Sequence, residues 1–162
     1  RLFALPDGSG FFGLSFARDV SWSPEGNQLV VAFSYSGLGE SLGGRDEIQV
    51  WEIGDEPILV GKWPIETYGG SQVAWAADGR YLVLQETTSL RVLDSQSGET
   101  LAATDGDLLP LSLFALSPDG ATLVAATNSS SVLSYFNVPG LELSSQRLVA
   151  RRDKCGGYRA LQ

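Results

Sequence analysis

The residues best equipped for chemistry in this chain are its carboxylates, because the side chains that most often act as nucleophile or base are nearly absent. The 162 residues contain no histidine and a single cysteine, Cys155. That removes Ser-His-Asp and Cys-His nucleophilic catalysis, histidine zinc ligation and imidazole acid–base work. It also leaves Cys155 with no base and no disulfide partner within the chain. Glu86 and Asp94 could be posed as the carboxylate pair of a glycoside hydrolase, but both fall at the ends of candidate strands, where a carboxylate that caps a turn is the simpler reading. Asp105-Gly106-Asp107 has the opening of a calcium loop without the remaining ligands at the required spacing. Gly37, Gly39, Gly43 and Gly44 sit in a glycine-rich run, yet no Gly-Lys-Ser/Thr follows and no helix begins there, so the run does not cradle a phosphate. No catalytic residue, metal ligand set or cofactor is assigned, and the chain reads as a non-enzyme.

The elements that would position these groups come from a repeat. "SWSPEGNQLVVAF" (21–33), "AWAADGRYLVLQE" (74–86) and "ALSPDGATLVAAT" (115–127) align on Gly26, Gly79 and Gly120. Before each glycine lies an apolar alternation, Val20-x-Trp22, Val73-x-Trp75 and Phe114-x-Leu116, and after each a β-rich run. A period of two with β-branched content predicts strands, and Ser-Pro-Glu-Gly, Ala-Ala-Asp-Gly and Ser-Pro-Asp-Gly predict the turns between them. A third strand follows in each unit (47–53, 89–95, 132–138), with Trp51-Glu52, Leu93-Asp94 and Phe136-Asn137 in one slot. A second turn and a fourth strand (57–63, 99–104, 141–149) close the unit. Trp22, Trp51, Trp63 and Trp75 recur at strand positions, which predicts packing between sheets rather than ligand stacking.

Four antiparallel strands per unit of roughly 40 residues is the pattern of a β-propeller blade, so the fold class expected is all-β, a partial propeller with essentially no helix. The division expected is a half blade at 1–16, blades at 19–63 (with an insertion at 34–47), 72–104 and 113–149, and a basic tail at 150–162. "WSPEG…IQVWEI" and "LSPDG…LSYFNV" resemble the repeats of WD-repeat and TolB-like propellers. That resemblance implies the fold, and the leading expectation for function is a non-enzymatic scaffold that holds other proteins. It departs from strict WD repeats, whose Gly-His pair has no counterpart here.

Three and a half blades leave two sheet faces open. If each bares roughly 500 Å² of apolar surface, exposure costs on the order of 10 kcal/mol per face at about 25 cal/mol per Å², comparable with a whole domain's net stability. The chain starts at Arg1 without Met, and the expectation is a segment of a larger propeller. Two copies closing a ring, or a different partner chain, are the other ways to cover the faces.

Residues 1–146 hold eighteen acids against six bases, a balance that disfavours nucleic acid and anionic membrane surfaces. The longest nearly apolar stretch, 108–116, is interrupted by Pro110 and Ser112 and falls far short of the roughly 20 residues of a membrane span. With no signal or spanning segment read in the chain, the compartment stays open, leaning toward cytoplasm. Blade geometry places the insertion on the same side as 17–19, 64–70 and 105–111. The candidate partner-binding residues are therefore Tyr35, Glu40, Arg45, Asp46, Glu47, Glu66, Tyr68, Asp105 and Asp107, facing a basic or mixed protein surface. Arg147, Arg151, Arg152, Lys154 and Arg159 form the basic tail, which could dock on an acidic neighbour. Two competing functions belong to other classes: the accessory propeller of a hydrolase or peptidase, and a propeller enzyme with a carboxylate or metal site in its channel.

Overall fold

Three glycines set the repeat. In the computed structural model, which describes residues 14–36, 46–65, 72–86, 88–104, 111–127, 132–148, 150–152 and 158–160, Gly26, Gly79 and Gly120 have φ of 73°, 74° and 72°. This left-handed region costs an L side chain about 1–2 kcal/mol. Each glycine amide donates to the carbonyl three residues back, on Ser23 (2.9 Å), Ala76 (3.0 Å) and Ser117 (2.8 Å). Asp78 and Asp119 each accept a further amide of the same turn through Oδ1, from Arg80 and Ala121, both at 3.0 Å. The turns therefore close by their own chemistry, and the apolar runs on either side are left to pair.

They pair as three sequential meanders. The first contains β1 (Leu14–Trp22), β2 (Gln28–Ser36), β3 (Glu47–Glu52) and β4 (Ile58–Pro64). The second contains β5 (Gln72–Trp75), β6 (Tyr81–Gln85), β7 (Leu90–Asp94) and β8 (Thr100–Ala103). The third contains β9 (Leu111–Leu116), β10 (Thr122–Thr127), β11 (Val132–Asn137) and β12 (Glu142–Leu148). Each is a four-stranded antiparallel sheet in chain order, and no helix occurs among the described residues. A two-stranded ribbon, β13 (Ala150–Arg152) with β14 (Tyr158–Ala160), follows.

The equivalence extends to a defect that the sequence pattern does not announce. In every sheet the pairing of third and fourth strands shifts register at one place, between Val50 and Trp51, Val92 and Leu93, and Tyr135 and Phe136. Val60, Leu101 and Ser144 are the extra residues, and a bulge of this kind bends an outer strand and turns its edge.

Two expected boundaries change. Residues 14–16, placed in the half blade 1–16, belong to β1: Leu14 pairs with Ser36 and Phe16 with Ser34. The polar "ARD" at 17–19 reads as a connection, but a bulge between Ala17 and Asp19 lets one strand run through it. Residues 1–13 lie outside the described residues. The insertion also shortens, because Ser34–Ser36 finish β2 and Glu47 opens β3, while 37–45 lie outside the described residues.

The sheets pack face to face, with the second in the middle. Alternation along β6 explains how one strand serves both joints. Leu82 and Leu84 enter a core with Val30, Ile48, Val50, Val73 and Trp75. Val83, one residue out of phase, enters a second core with Leu90, Val92, Leu123 and Phe136. Each such side chain contributes about 1.5–3 kcal/mol when fully buried.

Candidate functional site

Of the predicted binding face, the two described acids are inside the protein. Asp46 is 1% exposed and Glu47 8%. The Asp46 carbonyl accepts the Ile65 amide at 2.7 Å. Glu47 pairs with Lys62 Nζ at 3.0 Å and also accepts a hydrogen bond from Gln49 Nε2. These two acids read as loop charges in the sequence, but Glu47 lies between Phe33 and Pro64 in the sheet, so its charge is spent on internal partners. Tyr35 lies in β2 opposite Ser15. Glu40, Arg45, Glu66, Tyr68, Asp105 and Asp107 lie outside the described residues.

The basic tail is not a simple tail. Arg147 belongs to β12, with its guanidinium 5.7 Å from the centre of the Tyr135 ring. Arg151 pairs with Arg159, and Arg152 with Tyr158, across the terminal ribbon; Lys154 lies outside the described residues.

Glu86 and Asp94 do not form a carboxylate pair. Asp94 stands opposite Tyr81, and Glu86 lies beyond the Gln85–Leu90 pair at the other end of the same hairpin. Four residues of strand separate these ends, on the order of 13 Å, too far to share one glycosidic bond. Glu86 is buried, with Oε1 2.6 Å from Arg91 Nη2 and Oε2 accepting the Ser89 hydroxyl. Asp94 accepts the amide and hydroxyl of Ser97 and the amide of Gln96. Those bonds, Ser97 foremost, hold its carboxyl below the ordinary value. Asp94 is the turn cap expected from its place in the strand. Among the described residues no group of three or more acids, histidines and cysteines could hold a metal ion.

What the residues do build is a pair of inter-sheet joints with a repeated polar clasp. Asp19, Gln72 and Leu113 each stand seven residues before the turn glycine, and Val20, Val73 and Phe114 stand six before. Asp19 Oδ2 accepts the Val73 amide at 3.0 Å, and Gln72 Oε1 accepts the Phe114 amide at 3.1 Å. The first strand of one sheet thus reaches the first strand of the next through the same position twice. The sequence carried no signal for this beyond the polarity of Asp19 and Gln72 in otherwise apolar strands.

The first joint also opens into a cleft of about 760 Å³ at its turn end, lined by Pro24, Trp63, Trp75, Asp78, Tyr81 and Asp94 among others. The Trp63 indole lies over Gly98, where φ is 72° and a Cβ would collide with the ring. Trp75 Nε1 is buried without a hydrogen-bond partner. Trp63 and Trp75 therefore pack between sheets, as their positions predict. Trp22 does not. It is 55% exposed, whereas Trp75, the equivalent residue one repeat later, is 9% exposed. Val20 and Trp22 pair with Val31 and Leu29, on the face of the first sheet turned away from the second. Nothing described covers that face.

A scan of the chain against models of known protein families found no match, and a search of curated proteins found none. The described residues define an all-β protein of three four-stranded antiparallel sheets packed face to face.

Proposed function

We propose that the chain is a non-enzymatic interaction scaffold, a run of WD-like or TolB-like propeller blades that forms part of a larger propeller or protein assembly. One observation carries this reading: positions that are buried in the middle sheet are bare in the first. Val73 and Trp75 are in the core, while Val20 and Trp22 at the equivalent places are 56% and 55% exposed. Monomers rarely leave a large contiguous apolar face open, and such faces mark interaction surfaces. The strict meander order, the common turn glycines and the common bulge support the blade reading, since a repeated unit that cannot bury both its faces alone is stabilised by neighbours of the same kind.

The test is the native mass of the tagged chain purified from its source cells, with its companions identified. A stoichiometric assembly heavier than the 17.3 kDa chain supports the scaffold. A lone monomer with no companion under native conditions would overturn it.

A further inference from the structure

We propose that the partner on the open face of the first sheet is a second copy of this chain, presenting the open face of its third sheet. The proposal rests on the scaffold reading above.

The two open faces are the two halves of a joint that the chain already makes twice internally. The half that presents uses the same places each time. Val30 and Val50 occupy them in the first sheet, Val83 and Val92 in the second, and all four are buried. In the third sheet the equivalents are Val124 and Tyr135, which are only half-buried, with Leu133 beside them. The half that receives is filled in the second sheet by Val73, Trp75 and Leu84, all buried. In the first sheet it is Val20, Trp22 and Val31, the first two of them more than half exposed. Among the described residues, one chain therefore carries a presenting half and a receiving half of one kind of interface with no other sheet packed on either. That is the arrangement of a heterologous, head-to-tail contact between identical subunits.

The polar clasp points to the same occupant. A further sheet of the internal kind would bring an acceptor to the Val20 amide, but that amide is already held by its own Asp19 Oδ1 at 2.9 Å. At the other end the acceptor position is Leu113, which is 59% exposed and offers no oxygen. Among the described residues the polar clasps run from Asp19 to Phe114. What remains at the two ends is apolar, and in a head-to-tail contact built like the internal ones Leu113 of one copy falls against Val20 of the next. Apolar meets apolar, with no amide left unsatisfied.

Sedimentation or light scattering of the recombinant chain at tens of micromolar should give a multiple of 17.3 kDa. Trp22→Glu and Leu113→Glu each alter an exposed side chain on a different half. Either one should weaken association roughly thirty-fold or more, as expected for an interface anchor. Mixed one to one, the two variants should form a pair, because each retains the half that the other lacks. If Trp22→Glu loses its β-sheet circular dichroism, Val20→Glu takes its place. A monomeric wild type would overturn the proposal, as would variants that associate like wild type or a mixture that restores nothing. A monomeric recombinant chain alongside a heavy, mixed assembly from the source cells would remove the second copy as partner and leave the scaffold reading standing.

Discussion

The two joints of this molecule are made by the same positions of the same repeat and still differ. In the joint between the first and second sheets, the hairpins stand apart at their turns. A Cβ at Gly79 would come no closer than 3.9 Å to Pro24 Cδ, and a cleft opens between Trp63 and Trp75. In the joint between the second and third sheets, the hairpins touch, and a Cβ at Gly120 would stand 3.1 Å from the Ala77 amide nitrogen. Tryptophan explains part of the contrast. The first joint accommodates two indoles near its mouth, whereas Leu116 stands in the second joint where Trp75 stands in the first. Indole rings line the open end of the first joint, and at the close approach of the second the neighbour of Gly120 is Ala77.

The heaviest test of this contrast is cavity formation. Leu82 and Leu123 are fully buried at equivalent positions, one in each joint. Leu→Ala at either should cost about 2–5 kcal/mol in urea unfolding. The loss should be about 1 kcal/mol greater for Leu123→Ala, because the tighter joint has less freedom to collapse around the gap. Equal losses would mean that the cleft does not loosen the first joint's core.

Next come the turn glycines. Gly79→Ala and Gly120→Ala both force an L residue to a φ above 70°, at about 1–2 kcal/mol each. Only Gly120→Ala also crowds a backbone atom, so its Tm should fall further, by an additional ~1 kcal/mol of destabilisation. If Gly79→Ala proves the worse of the two, the hairpins are not spaced as described.

The clasps should matter less and alike. Across the joints, Asp19→Ala leaves the Val73 amide without its bond and Gln72→Ala the Phe114 amide. The expected loss is about 1–2 kcal/mol in both. Asp19→Ala should be slightly larger, since Asp19 also holds the Val20 amide. A loss at one site with none at the other would break the equivalence of the two joints.

These residues also mark how far the sequence alone could be read. The strands, their order and the turn glycines were legible because they depend on local rules: a period of two, a Pro or Asp early in the turn, and a Gly at its end. The open apolar faces followed from counting repeats. The bulge at Val60, Leu101 and Ser144 was not legible, because an extra residue in an outer strand leaves the alternation plausible in either register. The burial of Asp46 and Glu47 was missed for a related reason. Two adjacent acids after a glycine-rich run look like loop, and only the register against Phe33 and Pro64 places Glu47 in the sheet interior. The clasp needed tertiary structure, since nothing in a sequence tells which amide a side chain will meet 42 or 54 residues away.

The smallest effect expected separates the hairpins by pH. Asp119 accepts the Ser117 hydroxyl and the Ala121 amide, and these hold its carboxyl below the ordinary value of 3.8. At Asp78 desolvation works in the opposite direction, but the amide, guanidinium and charge of Arg80 outweigh it, and the shift is also downward. A carboxyl whose folded pKa lies below its unfolded one adds stability that is fully present above the unfolded value. That stability is lost as pH falls through the folded value. Both turns should therefore weaken only below about pH 4, and modestly, because both carboxylates are solvated. The first hairpin has Glu25 at this place, one methylene longer, and no bond from it to its own turn parallels those of Asp78 and Asp119. Asp119→Asn should flatten the acid limb of the stability curve measured between pH 3 and 7. An acid limb that keeps its slope in Asp119→Asn would mean that this aspartate does not lock the third hairpin as its bonds indicate.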